Sequence, residues 1–130
     1  MPPFPEASAA EICRLTLMQI LPAVAEVDIA GFGAGVERVQ DIVGDHFAPA
    51  QGGRFASAQV RRVAERLKAR GAHGIGQSSW GPTGFAFAAD DEEARRIARE
   101  ARADCPPGIE IKVCKALNRG AEIVGGPRPG

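Results

Sequence analysis

The strongest constraint on this chain is a run of small residues set between two kinds of periodicity. Helical spacing ends near Gly71 and strand-like alternation begins at Phe85. Between them lies Gly74-Ile75-Gly76-Gln77-Ser78-Ser79-Trp80-Gly81-Pro82-Thr83-Gly84, with four glycines in eleven residues and the sole tryptophan. Glycines let a backbone take positive φ and come close to a ligand, and Gln77, Ser78, Ser79 and Thr83 add neutral donors and acceptors. That composition suits a loop holding phosphate or diphosphate. It also reads as a chain reversal, so the strands on either side are expected to form a hairpin or near-hairpin.

Upstream the pattern is helical. A first helix over about Glu6 to Val27 is apolar on nearly every side in its middle (Ile12, Leu15, Leu17, Met18, Ile20, Leu21), as in a helix buried in a core or an interface. Pro22 is expected to kink or divide it, and Asp28 to cap the next helix. That second helix carries Ile29, Phe32, Val36, Val39 and Val43 on one face, with Gly44 as its stop. Gly31, Gly33 and Gly35 each cost roughly 1 kcal/mol of helix propensity relative to alanine. They point either to another backbone packed close by or to a frayed first turn. Residues 45–56 lack periodicity and read as an ordered loop. Ser57 then caps a third helix with the stripe Val60, Val63, Ala64 and Leu67, ending at Gly71.

Downstream, Phe85 and Phe87 alternate with alanines, and Asp90 with Glu93 resembles a capping box for a fourth helix that buries Ala94, Ile97, Ala98 and Ala101. After Cys105-Pro106-Pro107-Gly108, the alternation of Ile109, Ile111 and Val113 predicts a strand, with one more short strand at Ala121 to Val124. Residues 125–130 read as a flexible tail. Successive strands lack the helix-length crossovers of a doubly wound parallel sheet. The expectation is a single α+β domain over residues 1–124, a ferredoxin-like small antiparallel sheet covered by helices.

Sixteen basic residues balance sixteen acidic ones, so no overall field draws nucleic acid or an anionic membrane. Cys13, Cys105 and Cys114 have no metal-ligand spacing and read as buried thiols in a reducing, cytoplasmic setting. No apolar run is expected to approach the roughly 18 residues of a membrane span, and no cleavable leader is evident. The histidines lack a metal-binding spacing, so no metal ligand set is assigned. His73 is placed at a strand edge. His46, beside Asp45, is the better functional candidate, with a structural hydrogen bond as its alternative. A Walker A loop is absent, and a Rossmann fingerprint fails because the glycine run leads into a strand.

The stretch from Gly71 to Ala86 resembles the third conserved motif of the GHMP kinase superfamily, the glycine-rich loop of its C-terminal domain. Its Gln77-to-Thr83 portion is similar to one branch, the β-ribofuranosylaminobenzene 5′-phosphate synthases of methanopterin biosynthesis, and Val43 to Phe55 and Asn118 to Ala121 resemble the same branch. The resemblance implies a transferase joining 5-phosphoribosyl 1-diphosphate to an aminobenzoate or hydroxybenzoate, with release of diphosphate and carbon dioxide and with Mg2+ as cofactor. On that basis the backbone amides of Gly76 to Trp80 and the hydroxyls of Ser78, Ser79 and Thr83 would hold diphosphate, with Arg54 and Arg119 on phosphate oxygens. Gly74, Gln77, Gly81, His46 and Gln51 complete the implied binding set, the segment from Asp45 to Phe55 packing beside the glycine loop. The superfamily's N-terminal phosphate loop has no counterpart here. The implied partners are therefore an N-terminal domain or companion subunit and a phosphorylated small molecule, with a homodimer as a further option and no activity expected alone. The competing readings are a non-catalytic ligand-binding or subunit-association module and the C-terminal domain of a small-molecule kinase.

Overall fold

The structure, a computed structural model, describes residues 2–78, 82–116 and 119–120. The chain opens with α1 (Glu6–Leu15), a π-helical turn (Thr16–Ile20) and α2 (Leu21–Ala25) in one continuous helical path. The expected division at Pro22 is absorbed by the π turn. Leu21 donates its backbone N–H to Thr16 O, five residues back, and Pro22, which has no N–H to give, follows at the start of α2. Of this stretch only Leu15 and Ala23 are buried, while Leu17, Met18, Leu21, Val24 and Val27 are 65%, 71%, 53%, 57% and 91% exposed. The all-round apolar character is thus not consumed inside the chain. It forms an outward ridge. Glu6–Ala25, 20 residues long, is also long and apolar enough to cross a membrane by length and composition, a test that a buried core helix or a signal sequence near an N-terminus passes as well.

Asp28 caps α3 by accepting from Gly31 N at 3.0 Å. Helix α3 spans Ile29–Gln51, which corrects the expected stop at Gly44 and the expected loop over residues 45–56. Gly44 is buried because the returning chain passes against it, and a Cβ there would sit 3.0 Å from Arg54 O. The helix continues through Pro49 and ends at Gly52, whose φ of +86° supplies the left-handed C-cap. Gly33 settles the question of the glycine trio, since a Cβ on it would lie 2.8 Å from Gly74 N. Backbone packs on backbone there, and the first turn is not frayed.

Ser57 caps α4 (Ala58–Ala69) by accepting from Val60 N. The strands β1 (His73–Gln77) and β2 (Gly84–Phe87) pair antiparallel, Gln77 opposite Gly84 and Gly76 opposite Phe85, with an irregularity between His73 and Ile75. Asp90 then caps α5 (Asp91–Arg102), accepting from Glu93 N at 2.8 Å. The α+β class holds, with helices around a two-stranded antiparallel sheet. The core is small and alanine-rich, built from Leu15, Val63, Ala64, Ile75, Ile97, Ala98 and Ala101 with Ala23 and Ala72. Phe32 and Phe87 add an edge-to-face ring pair at 5.0 Å.

The strand expected over Ile109 to Val113 does not form. Helix α3 lies along the outer side of β1, where Gln40 Oε1 accepts from Gln77 N at 3.1 Å, and a groove separates β2 from Gly108–Glu110. Among the described residues the alternating segment joins neither edge of the sheet, which consists of β1 and β2. The short strand placed at Ala121 to Val124 lies outside the described residues. The cysteines are a further correction, because Cys13 and Cys114 are exposed and Cys105 is half-buried.

Candidate functional site

The glycine run is less of a loop than its composition implies. Gly74 and Gly76 sit inside β1 and are buried. Gly74 has φ +61°, and a Cβ on it would meet Gly33 O at 2.6 Å, while one on Gly76 would meet the Phe85 ring at 2.6 Å. Both are glycine for packing reasons internal to the fold. The backbone amides are spent too: Ser78 N donates to Thr83 O at 2.8 Å and Gln77 N to Gln40 Oε1. Since Ser78 and Thr83 form a hydrogen-bonded pair, the alternation of an antiparallel ladder directs Gly76 N–H toward β2 as well. What remains for a ligand is the turn itself. Ser78, Pro82 and Thr83 are exposed there, and Ser79, Trp80 and Gly81 lie outside the described residues.

Beside the hairpin a groove of about 310 Å³ is lined by Gln40, Val43, Gly44, Phe47, Gln51, Arg54 and Gln77. It brings together Gln51, Arg54 and Gln77 of the expected set and confirms the expected neighbourhood of the Asp45-to-Phe55 stretch and the glycine hairpin. Gln77 Nε2 donates to Gln51 Oε1 at 3.3 Å, Gln77 Oε1 accepts from Ala56 N at 2.8 Å, and Gln51 Nε2 donates to Arg54 O at 3.1 Å. Side-chain amides thereby stitch the turn after α3 to β1. Sequence reasoning missed Gln40. Its signal was present, one turn after Val36 on a face otherwise apolar.

Arg54 faces two carboxylates. Its Nε and Nη2 donate to Asp45 Oδ1 and Oδ2 at 2.6 and 3.0 Å, and its Nη1 lies 3.1 Å from Asp41 Oδ1. Asp41 and Asp45 are spaced to share one helix face, so the clamp follows from α3 continuing past Gly44. The hydrogen bond from Arg54 holds the Asp45 carboxyl below the usual aspartate range, with the charges of Arg54 and Arg38 adding to it. The guanidinium is raised by the same bond and by Asp41. All three nitrogens thus contact a carboxylate within the protein, so an approaching phosphate meets a guanidinium already neutralised by Asp41 and Asp45 and is left with its outer N–H groups.

His46 lies elsewhere. Its ring meets Phe4 and Phe47 edge-on at 4.9 Å each, and it does not line the groove. Arg119 is exposed and lines neither groove. Among the described residues no group of three His, Cys, Asp or Glu side chains could hold a metal ion. Asp41 and Asp45, the carboxylates beside the groove, converge on Arg54 instead, so this pair is not set out to share a Mg2+ ion with a substrate phosphate. The arrangement suits binding through hydroxyls and amides rather than proton transfer.

A second groove of about 270 Å³ runs between β2 and Gly108–Glu110 over Val60, Val63, Ala64 and Leu67 of α4.

Residues 20–107 match the family described as GHMP kinases C terminal. The chain belongs to this family. It is also 37% identical over 126 residues to the beta-ribofuranosylphenol 5'-phosphate synthase of Archaeoglobus fulgidus, covering 93% of this chain and 36% of that protein. A protein of the same name from Methanothermobacter thermautotrophicus is 30% identical over 122 residues, covering 94% of this chain and 35% of its own length. The chain therefore spans about a third of the curated relatives it matches. No solved structure matches. The similarity supports a synthase-like C-terminal domain.

Proposed function

We propose that this chain supplies the C-terminal side of a phosphoribosyl-transferring site. The substrates in this reading are 5-phosphoribosyl 1-diphosphate and a hydroxybenzoate or aminobenzoate. The ring forms a bond to the ribose anomeric carbon, diphosphate leaves with its electron pair, and the ring carboxylate departs as carbon dioxide. The observation that carries the reading is similarity over nearly the whole chain to two proteins named as synthases of a ribofuranosylphenol phosphate, the product expected from the hydroxybenzoate. The hairpin turn is the contact point, Ser78 and Thr83 donating hydroxyl hydrogens to diphosphate oxygens as negative charge builds on the leaving group. Mg2+, when present, would neutralise diphosphate charge and arrive with that substrate.

The other side of the site comes from a companion polypeptide or domain, which covers the ridge of Leu17, Met18, Leu21, Val24 and Val27. Catalysis of this type needs groups on both sides of the reacting centre, so the chain alone does not turn over. A purely associative module remains the second reading, favoured by the internal engagement of Arg54 and of the β1 amides. The two are separated in a chimera of the Archaeoglobus fulgidus relative carrying this chain in place of its matching third. Ser78→Ala with Thr83→Val is expected to lower kcat/KM for 5-phosphoribosyl 1-diphosphate by roughly tenfold or more, the loss of at least one charge-assisted hydrogen bond that strengthens as the leaving group gains charge. An unchanged KM and kcat would remove the hairpin turn from the site.

A further inference from the structure

Gln40 turns a donor toward the groove beside β1. Its Oε1 accepts from the Gln77 backbone N–H at 3.1 Å, which fixes the amide, since a flipped side chain would set donor against donor. Nε2 then stands at the other end. No described residue accepts from it, and because no buried side-chain nitrogen or oxygen among the described residues lacks a partner, it reaches open space. Gln40 is half-buried and lines the groove of about 310 Å³, so its two N–H groups are available there. The neighbouring amides face the protein instead, Gln77 Nε2 donating to Gln51 Oε1 and Gln51 Nε2 to Arg54 O. Val43 and Phe47 give the groove an apolar wall, and the one charged residue among its described lining is Arg54. The second groove has Glu110 in that place and no cation among its described lining.

We infer that the groove beside β1 holds the aromatic acid of the proposed reaction, with Gln40 Nε2 donating to an oxygen on ring carbon 4 and so selecting a hydroxybenzoate over an aminobenzoate. The inference rests on the functional reading above and gives its acceptor substrate a place. An apolar cavity of roughly 150 Å³ already admits benzene, so the groove has room for one ring with its substituents. An anionic acid is drawn to Arg54 and repelled by Glu110, and the attraction is weak because Asp41 and Asp45 offset the guanidinium. A weak hold suits a carboxylate that must leave as carbon dioxide, whereas a tight ion pair would stabilise the ground state against that step. Gln77 lines the groove and precedes Ser78, so the ring lies beside the turn assigned to diphosphate. The selectivity follows from lone pairs. A phenol oxygen accepts readily, while an aniline nitrogen has its lone pair drawn into the ring and sets N–H groups against N–H groups, leaving donors unpaired. Both relatives are named for a ribofuranosylphenol.

The chimera tests it through a ratio. With Gln40 in place, kcat/KM for 4-hydroxybenzoate is expected to exceed that for 4-aminobenzoate by roughly tenfold or more, one well-placed hydrogen bond. Gln40→Met keeps the length of the side chain and removes its donors, and should bring the ratio down by about the same factor. A Gln40 that only braces β1 against α3 would lower both rates together, so an unmoved ratio, or a parent that uses the amine equally well, would overturn the inference. A second measurement needs no variant. On adding millimolar 4-hydroxybenzoate to the isotope-labelled 130-residue chain, the Gln40 side-chain NH2 signal and the Val43 and Phe47 amide signals are expected to move in NMR spectra. No movement there, or movement confined to Ile109 and Glu110 in the second groove, would also overturn it. The spectra are read without 5-phosphoribosyl 1-diphosphate, so the two claims fail separately. Movement at Gln40 with no product from the chimera sinks only the functional reading, and product formed with an unmoved ratio sinks only the assignment of the groove.

Discussion

Replacing Gly33 by alanine isolates the contact that fixes α3 on β1. By helix propensity alone the change should stabilise the protein by roughly 1 kcal/mol, because alanine is the better former in a helix interior. The packing opposes this. A Cβ at position 33 would lie 2.8 Å from Gly74 N and from His73 C, and the reciprocal position at Gly74 would lie 2.6 Å from Gly33 O. Both obstacles are backbone, with no flexible side chain to swing aside, so the helix must lift off the strand. Overpacking of that kind costs about 1–3 kcal/mol, and the separation also loosens the Gln40 bond to Gln77. The net expectation is a loss of about 1–2 kcal/mol despite the propensity gain, or roughly 4–8 °C in Tm. Gly52→Ala is the control. Its Cβ would meet nothing within 4 Å but its φ is +86°, so it should cost only the left-handed strain of about 1 kcal/mol. Urea unfolding of the three proteins decides the matter. A Gly33→Ala protein as stable as the parent or more so would refute the claim that α3 and β1 meet backbone to backbone.

Other expectations concern the clamp, the cap and the ridge. Arg54→Gln should free the turn at Gly52 to Phe55, read as faster amide exchange at Ala56 and Gln77 with the rest of the fold retained; unchanged exchange would remove the clamp. Because Asp45 titrates lower when folded than unfolded, its bond to Arg54 stabilises the protein above the ordinary aspartate range. That contribution is lost as pH falls below about 4, so the stability difference between parent and Arg54→Gln should shrink in acid, and a constant difference would contradict it. Asp90→Ala removes the acceptor for Glu93 N and should cost about 1 kcal/mol in urea unfolding. Met18→Ser with Leu21→Ser, at positions 71% and 53% exposed, should leave the chain's own stability within about 0.5 kcal/mol while lowering the yield of folded chimera; a large loss of stability in the isolated chain would show that the ridge is internal.

Much of the fold was legible because its signals were local. Asp28, Ser57 and Asp90 announced three helix starts through cap chemistry, and the Phe85 and Phe87 alternation announced β2. Gly44 misled because a buried glycine that admits a passing chain is indistinguishable in sequence from one that ends a helix, and only the Arg54 backbone against it tells the two apart. Ile109 to Val113 misled because alternation states that a segment could pair, whereas pairing also needs an edge to join, and this segment joins neither β1 nor β2. At the site, the neighbourhood of Gln51, Arg54 and Gln77 was foreseen, while the capture of Arg54 by Asp41 and Asp45 depended on α3 running further than its stop signal allowed. His46 was singled out beside Asp45, but on the longer helix its ring turns to Phe4 and Phe47.

The most direct test of the central claim is a product assay with 5-phosphoribosyl 1-diphosphate, Mg2+ and 4-hydroxybenzoate, run on the purified chain and on the chimera that carries it in the Archaeoglobus fulgidus relative. The account predicts release of diphosphate and carbon dioxide by the chimera and none by the chain alone. Turnover by the 130 residues on their own would contradict the two-sided site, and a folded chimera without turnover would contradict the synthase reading itself.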